Sequence, residues 1–201
     1  MRVIAGTARG IRLRTVRGLG ARPTSDRVRE TLFAILQPVL PDATFLDLYA
    51  GSGAVGIEAL SRGARQALFV ERHPGQVRVL VANLGATGLR ERAEVWRREV
   101  SDALADLARQ GRHFDVAFLD PPYGRDLVPA TLPALVPVVE PGGLAVAEHH
   151  RRDRVPEAAG SLRRVRETTV GETVLSFYRR EEQGGRPDGA HAGNAGEGLA
   201  E

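Results

Sequence analysis

Residues 44–71 read TFLDLYAGSGAVGIEALSRGARQALFVE. An apolar strand candidate, TFLDLY, runs into the turn Gly51-Ser52-Gly53; the helical pattern AVGIEALS follows, and a second strand candidate, ALFV, ends at Glu71. Gly51 to Gly56 is a literal G-x-G-x-x-G between strand and helix, with an acid twenty residues after Gly51. Such glycines let the backbone turn sharply and approach a ligand, and an acid at the second strand end can accept both hydroxyl protons of a ribose. Dinucleotides and S-adenosylmethionine both carry that ribose, so the spacing alone does not choose between them. A turn that merely joins a strand to a helix is the plainer alternative.

The same alternation continues outward. ALFVE is followed by PGQVRVLVANLGA, AEVWR by VSDALADLARQ, FDVAFLD by LVPATLPALVPVV, and GLAVAEH closes the series. Apolar strands alternating with amphipathic helices predict an α/β, Rossmann-like fold, a mostly parallel sheet covered on both faces. Leu162–Val170 and Thr173–Tyr178 flank Gly171 with no room for a helix, which predicts a C-terminal antiparallel hairpin at the sheet edge. Upstream, RPTSDRVRETLFAILQP predicts a helix starting at Pro23 and Thr24, with Val28, Leu32, Phe33, Ile35 and Leu36 as its apolar face and Pro38 as its stop. Val3–Ala5 and Ile11–Val16 read as a small hairpin presenting Arg9, Arg12 and Arg14. Three regions follow: a basic arm over 1–22, a main domain over 23–180, and a Gly-rich acidic tail over 181–201. The tail is expected to be disordered; a mimic of nucleic acid is the other reading.

The 201 residues, 42% hydrophobic and 26% charged, fit one domain with a core. The absence of cysteine excludes disulfides, Cys-based zinc sites and thiol catalysis. No run reaches the roughly 18 apolar residues a bilayer span needs, and MRVIAGTARGIRLR lacks the apolar block of a secretion signal, so a cytoplasmic protein with no membrane partner is expected. The net charge of +3 is uneven, because residues 1–30 carry eight arginines against only Asp26 and Glu30. Such a surface suits phosphate binding without sequence reading; a solvated basic hairpin is the alternative. His149 and His150 end a strand, but no acid and histidine cluster surrounds them in sequence, so no metal is expected.

Asp47 helps to discriminate between cofactors. Four residues before Gly51, a carboxylate would be unfavourable beside a pyrophosphate and favourable beside the sulfonium and ammonium groups of S-adenosylmethionine. Asp47 could equally cap the turn through backbone amides, and the two roles are compatible. Residues 42–180 suffice for one sheet, without the substrate domain of a typical dehydrogenase. Glu99 follows the third strand candidate, where its carboxylate could take an adenine amino proton while the Val100 amide meets a ring nitrogen; a solvated acid beside Arg97 and Arg98 is equally compatible.

FDVAFLDPPYG, residues 114–124, carries the chemistry. A buried strand ends in Asp120, and Pro121 and Pro122 remove two amide donors, leaving a carboxylate, a prolyl carbonyl and the Tyr123 ring at the same sheet edge as the glycine turn. An exocyclic amine is a poor nucleophile because its lone pair is delocalised into the base. Two hydrogen bonds accepted from its N–H groups favour the pyramidal form that attacks a methyl carbon held in line. The base must then be flipped out or unpaired. One carboxylate can accept guanine N1–H and the N2 amine together, which favours guanine modestly over adenine.

These stretches closely resemble the RsmD-type bacterial methyltransferases, which methylate N2 of guanine-966 in 16S ribosomal RNA with S-adenosylmethionine. The similarity runs from Arg2 to about Arg180 through VIAGTARGIRLR, RPTSDRVRETLF, LDLYAGSGAVGIEALSRGA, FVER, Asn83 and LDPPY. The glycine motif and DPPY are shared with many methyltransferases; the RPTSDRVRETLF segment is narrower. The resemblance implies a class I S-adenosylmethionine-dependent fold yielding S-adenosylhomocysteine without metal. Its cofactor contacts would come from Asp47, Ala50, Gly51, Gly53, Glu71, Arg72, Glu99, Val100 and the helix starting near Thr24. Glu99 stands where the family usually has Asp. Asp120, Pro121, Pro122 and Tyr123 would form the target-base pocket, with Arg9, Arg12, Arg14 and Arg22 on RNA. A monomer acting on assembling small subunits is implied. An adenine-N6 methyltransferase, a nicotinamide-dependent oxidoreductase and a non-catalytic ribosome-assembly factor are the rivals.

Overall fold

The computed structural model describes residues 1–16 and 25–182; Arg22, Thr24 and residues 183–201 of the expected tail lie outside them. The chain alternates as the apolar pattern requires: α1 (Asp26–Leu36), β1 (Thr44–Leu48), α2 (Ala54–Ser61), β2 (Gln66–Val70), α3 (Pro74–Thr87), β3 (Ala93–Trp96), α4 (Val100–Arg109), β4 (Phe114–Leu119), α5 (Leu127–Leu135), β5 (Val139–His150), β6 (Ala158–Ala159), β7 (Leu162–Val170) and β8 (Thr173–Arg180). Helix α1 starts at Asp26, two residues after Thr24, and the Ser25 hydroxyl caps it by accepting from the Val28 amide at 3.2 Å. It gives way at Leu36 to a 3-10 turn over Gln37–Val39 that holds Pro38.

The eight strands form one sheet in the order β3-β2-β1-β4-β5-β8-β7-β6. Strands β1 to β5 are parallel to one another, and β8 joins β5 antiparallel, connected to β7 through Gly171-Glu172. The mostly parallel sheet with a C-terminal antiparallel hairpin is the one the pattern predicted. The two-residue strand β6 at the far edge was not foreseen, since two residues carry no periodicity.

Alternation along each strand divides the core. Phe45, Phe69, Phe118, Val146 and Phe177 face α1, α2, α3 and the N-terminal segment, whose Val3, Ala8 and Leu13 are buried with them. Leu46, Leu48, Leu68, Ala117 and Leu119 face α4 and α5. Burial of Val100, Ala103, Leu104 and Leu107 on α4 follows the helical spacing of one apolar face. Removing each buried Leu or Phe from water stabilises the fold by roughly 1.5–3 kcal/mol. The strand order sets the position of the site. The chain runs outward from β1 to β3 and then returns to place β4 on the other side of β1, so the crevice between the carboxyl ends of β1 and β4 is the topological switch point.

Candidate active site

The glycine turn leaves β1 through Tyr49, whose φ of 59° is left-handed, and is held by Ala50 N–H donating to the Val70 carbonyl at 3.0 Å. Glu71 closes it. One carboxylate oxygen accepts from Gly51 N–H at 2.9 Å and the other from His73 N–H at 2.8 Å, so a single side chain ties together the turns after β1 and β2. The last two glycines of the motif answer to packing. A Cβ on Gly53, at φ 81°, would lie 2.0 Å from Leu80 Cδ1, and one on Gly56 would lie 2.3 Å from the Phe69 ring. Gly51 is different, because a Cβ there would meet nothing nearer than the Tyr49 carbonyl at 4.0 Å. That side of the turn is open.

Asp47 lies beneath the turn, 2% exposed, with Oδ2 accepting from Gly56 N–H at 2.9 Å in the first turn of α2. The capping alternative is therefore the contact present in the fold. Burial pushes the Asp47 carboxyl up to about 7, against the Gly56 hydrogen bond that lowers it and with the nearby Glu71 charge adding to the rise. The Tyr49 hydroxyl meets Thr131 Oγ1 at 3.1 Å on α5, and burial raises the phenol above its ordinary value.

Register fixes the neighbours of the second turn. Trp96, Val70, Leu48, Leu119 and Ala147 form one row across β3, β2, β1, β4 and β5. One step further along the parallel strands come Glu71, Tyr49, Asp120 and Glu148. Asp120 thus leaves β4 between the glycine turn and β5. Pro121 is buried, Pro122 is exposed, and Tyr123 is 38% exposed with its hydroxyl donating to Glu148 Oε1 at 3.1 Å. Burial, and next the Glu148 charge, raise the Tyr123 phenol well above its ordinary value, so it stays protonated and a donor.

Arg72 and Glu99 come together at 3.2 Å, both about half exposed, and Glu99 occupies the N-cap position of α4 without a side-chain cap. Val100 is buried behind them. Arg9, Arg12 and Arg14 are exposed while Leu13 between the last two is buried. The hairpin is short, with one bridge pairing Arg2 and Arg12, and its far end reaches the glycine turn through Asn83. That side chain, 1% exposed, accepts from Arg14 N–H at 2.8 Å and donates to the Arg14 carbonyl at 3.0 Å and the Ser52 carbonyl at 2.9 Å. His149 is buried against Ser176 at 2.9 Å, and among the described residues no group of three or more His, Cys, Asp or Glu is placed to hold a metal ion.

Three residues escaped the sequence reading. Glu58 on α2 is fully buried and accepts from Ile4 N–H at 2.8 Å, Ala5 N–H at 2.9 Å and Arg62 Nε at 2.7 Å. Arg29 on α1, equally buried, lies 3.6 Å from Glu58 and donates to the Arg2 carbonyl at 2.9 Å. Glu148, 3% exposed, is the third. Glu58 in AVGIEALS and Glu148 in LAVAEHH are lone acids in apolar runs, and that is the signal that could have found them.

The family model described as Conserved hypothetical protein 95 matches residues 1–179. The Ribosomal RNA small subunit methyltransferase D of Escherichia coli strain K12 is 38% identical over 190 residues, covering 92% of each chain. A solved hypothetical protein of Thermus thermophilus is 37% identical with a TM-score of 0.77, over 88% of this chain and 98% of that one. An RNA methyltransferase from Salinibacter ruber, solved in complex with S-adenosyl-L-homocysteine, shares the fold at TM-score 0.63 and 16% identity, over 82% of this chain and 97% of that one. With the glycine turn and the Asp-Pro-Pro-Tyr turn side by side at the switch point of a class I methyltransferase fold, the chain belongs to the Conserved hypothetical protein 95 family, that of the RsmD-type methyltransferases.

Proposed function

We propose that the protein transfers a methyl group from S-adenosylmethionine to the exocyclic N2 amine of a guanine in 16S ribosomal RNA, guanine-966 by family likeness. It would act as a cytoplasmic monomer on assembling small subunits, with residues 1–22 as its RNA-binding arm. The observation that carries this is the adjacency of β1 and β4, which sets the glycine turn closed by Glu71 beside a turn whose two prolines carry no N–H. No helix among the described residues is long and apolar enough to cross a membrane.

The residues present fit the cofactor. Gly51 faces open space, and each Glu71 oxygen holds one amide and keeps a lone pair for a ribose hydroxyl. When bound, S-adenosylmethionine supplies an electrophilic methyl carbon. Asp47, Ala50, Gly51 and Gly53 would hold its methionine end, Glu71 and Arg72 its ribose, Glu99 and Val100 its adenine, and Thr24 one flank. Asp120 and the Pro121 carbonyl accept the N–H groups of the target amine and orient its lone pair, while the prolines bring no competing amide donor. Asp120 takes the proton lost on alkylation and passes it to water. Tyr123 stacks on the flipped base. Arg9, Arg12, Arg14 and Arg22 hold phosphates.

The test is incubation with labelled methyl donor and unmodified small subunits, then mapping of the labelled nucleoside. N2-methylguanine is expected. N6-methyladenine alone would remove the guanine assignment, and no label on RNA or subunits would remove the enzyme.

A further inference from the structure

Pro121 and Pro122 deprive the second turn of two amides with which a loop is usually anchored, and residues 122–126 are exposed. Yet the aromatic residue in this loop is held. Its hydroxyl donates inward to the buried Glu148 carboxylate on β5 at 3.1 Å and lies 3.4 Å from Thr173 Oγ1 on β8, while its ring sits 6.0 Å from the His150 ring at 54°. The carboxylate is the stronger of the two polar partners, because a charged acceptor makes the stronger hydrogen bond. Glu148 is also rigidly placed: Ala147 before it pairs with Leu119, and Glu148 itself pairs with Leu175 of β8. The phenol is thus pinned at one end to two strands, while the exposed part of the ring stays available beside Asp120.

We propose that Glu148 is a positioning residue for methyl transfer: its carboxylate holds the Tyr123 hydroxyl and so fixes the ring plane on which the target base stacks. The inference rests on the function proposed above. A ring free to swing would leave the base bound but badly aimed at Asp120, so the loss should fall on the rate at saturating RNA and not on cofactor binding.

Single-turnover methylation at saturating S-adenosylmethionine, with RNA varied, tests it in the full chain for E148L, E148Q, Y123F and the double variant E148L/Y123F. Both E148L and Y123F should slow the saturated rate by about 10- to 100-fold with S-adenosylmethionine affinity held within about twofold. The double variant should match either single, because both remove one contact. E148Q should recover to within about threefold of wild type, since its amide oxygen still accepts from the hydroxyl. An E148Q as slow as E148L, multiplicative losses in the double variant, or an E148L as fast as wild type would each overturn the proposal. Y123F removes a single oxygen from a partly exposed side chain, so it carries the prediction even where E148L folds poorly. Tyrosinate absorbance gives a substrate-free check: E148L should let one phenol ionise at lower pH, and an unchanged titration counts against the contact. Wild-type enzyme run alongside separates the two ideas. No label from wild type defeats the proposed function, whereas normal label with unresponsive variants defeats only the role of Glu148.

Discussion

The two turns at the switch point are built with opposite polarity. In the glycine turn and the first turn of α2, backbone amides donate to acids: Gly51 N–H to Glu71, Gly56 N–H to Asp47. In the Asp-Pro-Pro-Tyr turn the prolines have no amides, and the loop is held from outside, through the Tyr123 hydroxyl on Glu148. A turn rich in donors organises acids around itself. A turn whose two prolines lack N–H groups depends on side chains for its shape. Under the proposed function, the first would take a ribose and a cation and the second an amine.

The sharpest way to break this contrast is Asp120→Ala. Methyl transfer should fall on the order of 10³-fold, the scale of a lost transition-state contact, while RNA affinity stays within a few-fold; unchanged turnover would refute the acceptor role. The matching blow to the other turn is Gly56→Ala, whose new methyl meets the Phe69 ring. Denaturant unfolding should show a loss of roughly 2–3 kcal/mol, with no comparable loss on substituting exposed Pro122. Charge reversal at Arg12 and Arg14 tests the proposed RNA-binding arm, which reaches the glycine turn through Asn83. RNA affinity should drop about tenfold and the slope of log affinity against log salt should flatten by roughly one to two; an unaltered slope counts against the arm.

The smallest expected effect concerns Asp47. Its carboxyl keeps its proton to about 7 in the fold against 3.8 in the unfolded chain, so within that window the native state binds more protons. Stability therefore falls as pH rises through the window and is flat above it. Asp47→Asn keeps an oxygen for the Gly56 amide and lacks the titration. Relative to wild type it should gain on the order of 1 kcal/mol or more between the acid and alkaline ends of the window. Parallel stability curves would show that Asp47 ionises freely beneath the turn.

Much of this was legible in the chain itself. The strand-glycine-helix alternation around Gly51 and the apolar runs marked every long element, because periodicity is a local property of backbone geometry. Asp120, Pro121 and Glu71 announced themselves by chemistry and by their place after apolar strands. Helix α1 begins two residues past Thr24, at Asp26, where Ser25 caps it. Glu58 and Glu148 stayed hidden because a lone acid in an apolar run gains its meaning only when its distant partner is known, and Arg29 because it sits in the charged run DRVRE with nothing to mark it out.

What the amino-acid order determined by itself was the kind of fold, the edge of the sheet where chemistry gathers, and the residue types available there. Folding alone decided who touches whom: that Asp47 turns to the Gly56 amide, that Asn83 joins Arg14 to the Ser52 carbonyl, and that Tyr123 finds Glu148. Contacts between residues 9, 25 or 69 positions apart depend on strand register and helix placement, which the whole core sets cooperatively and no window of sequence contains.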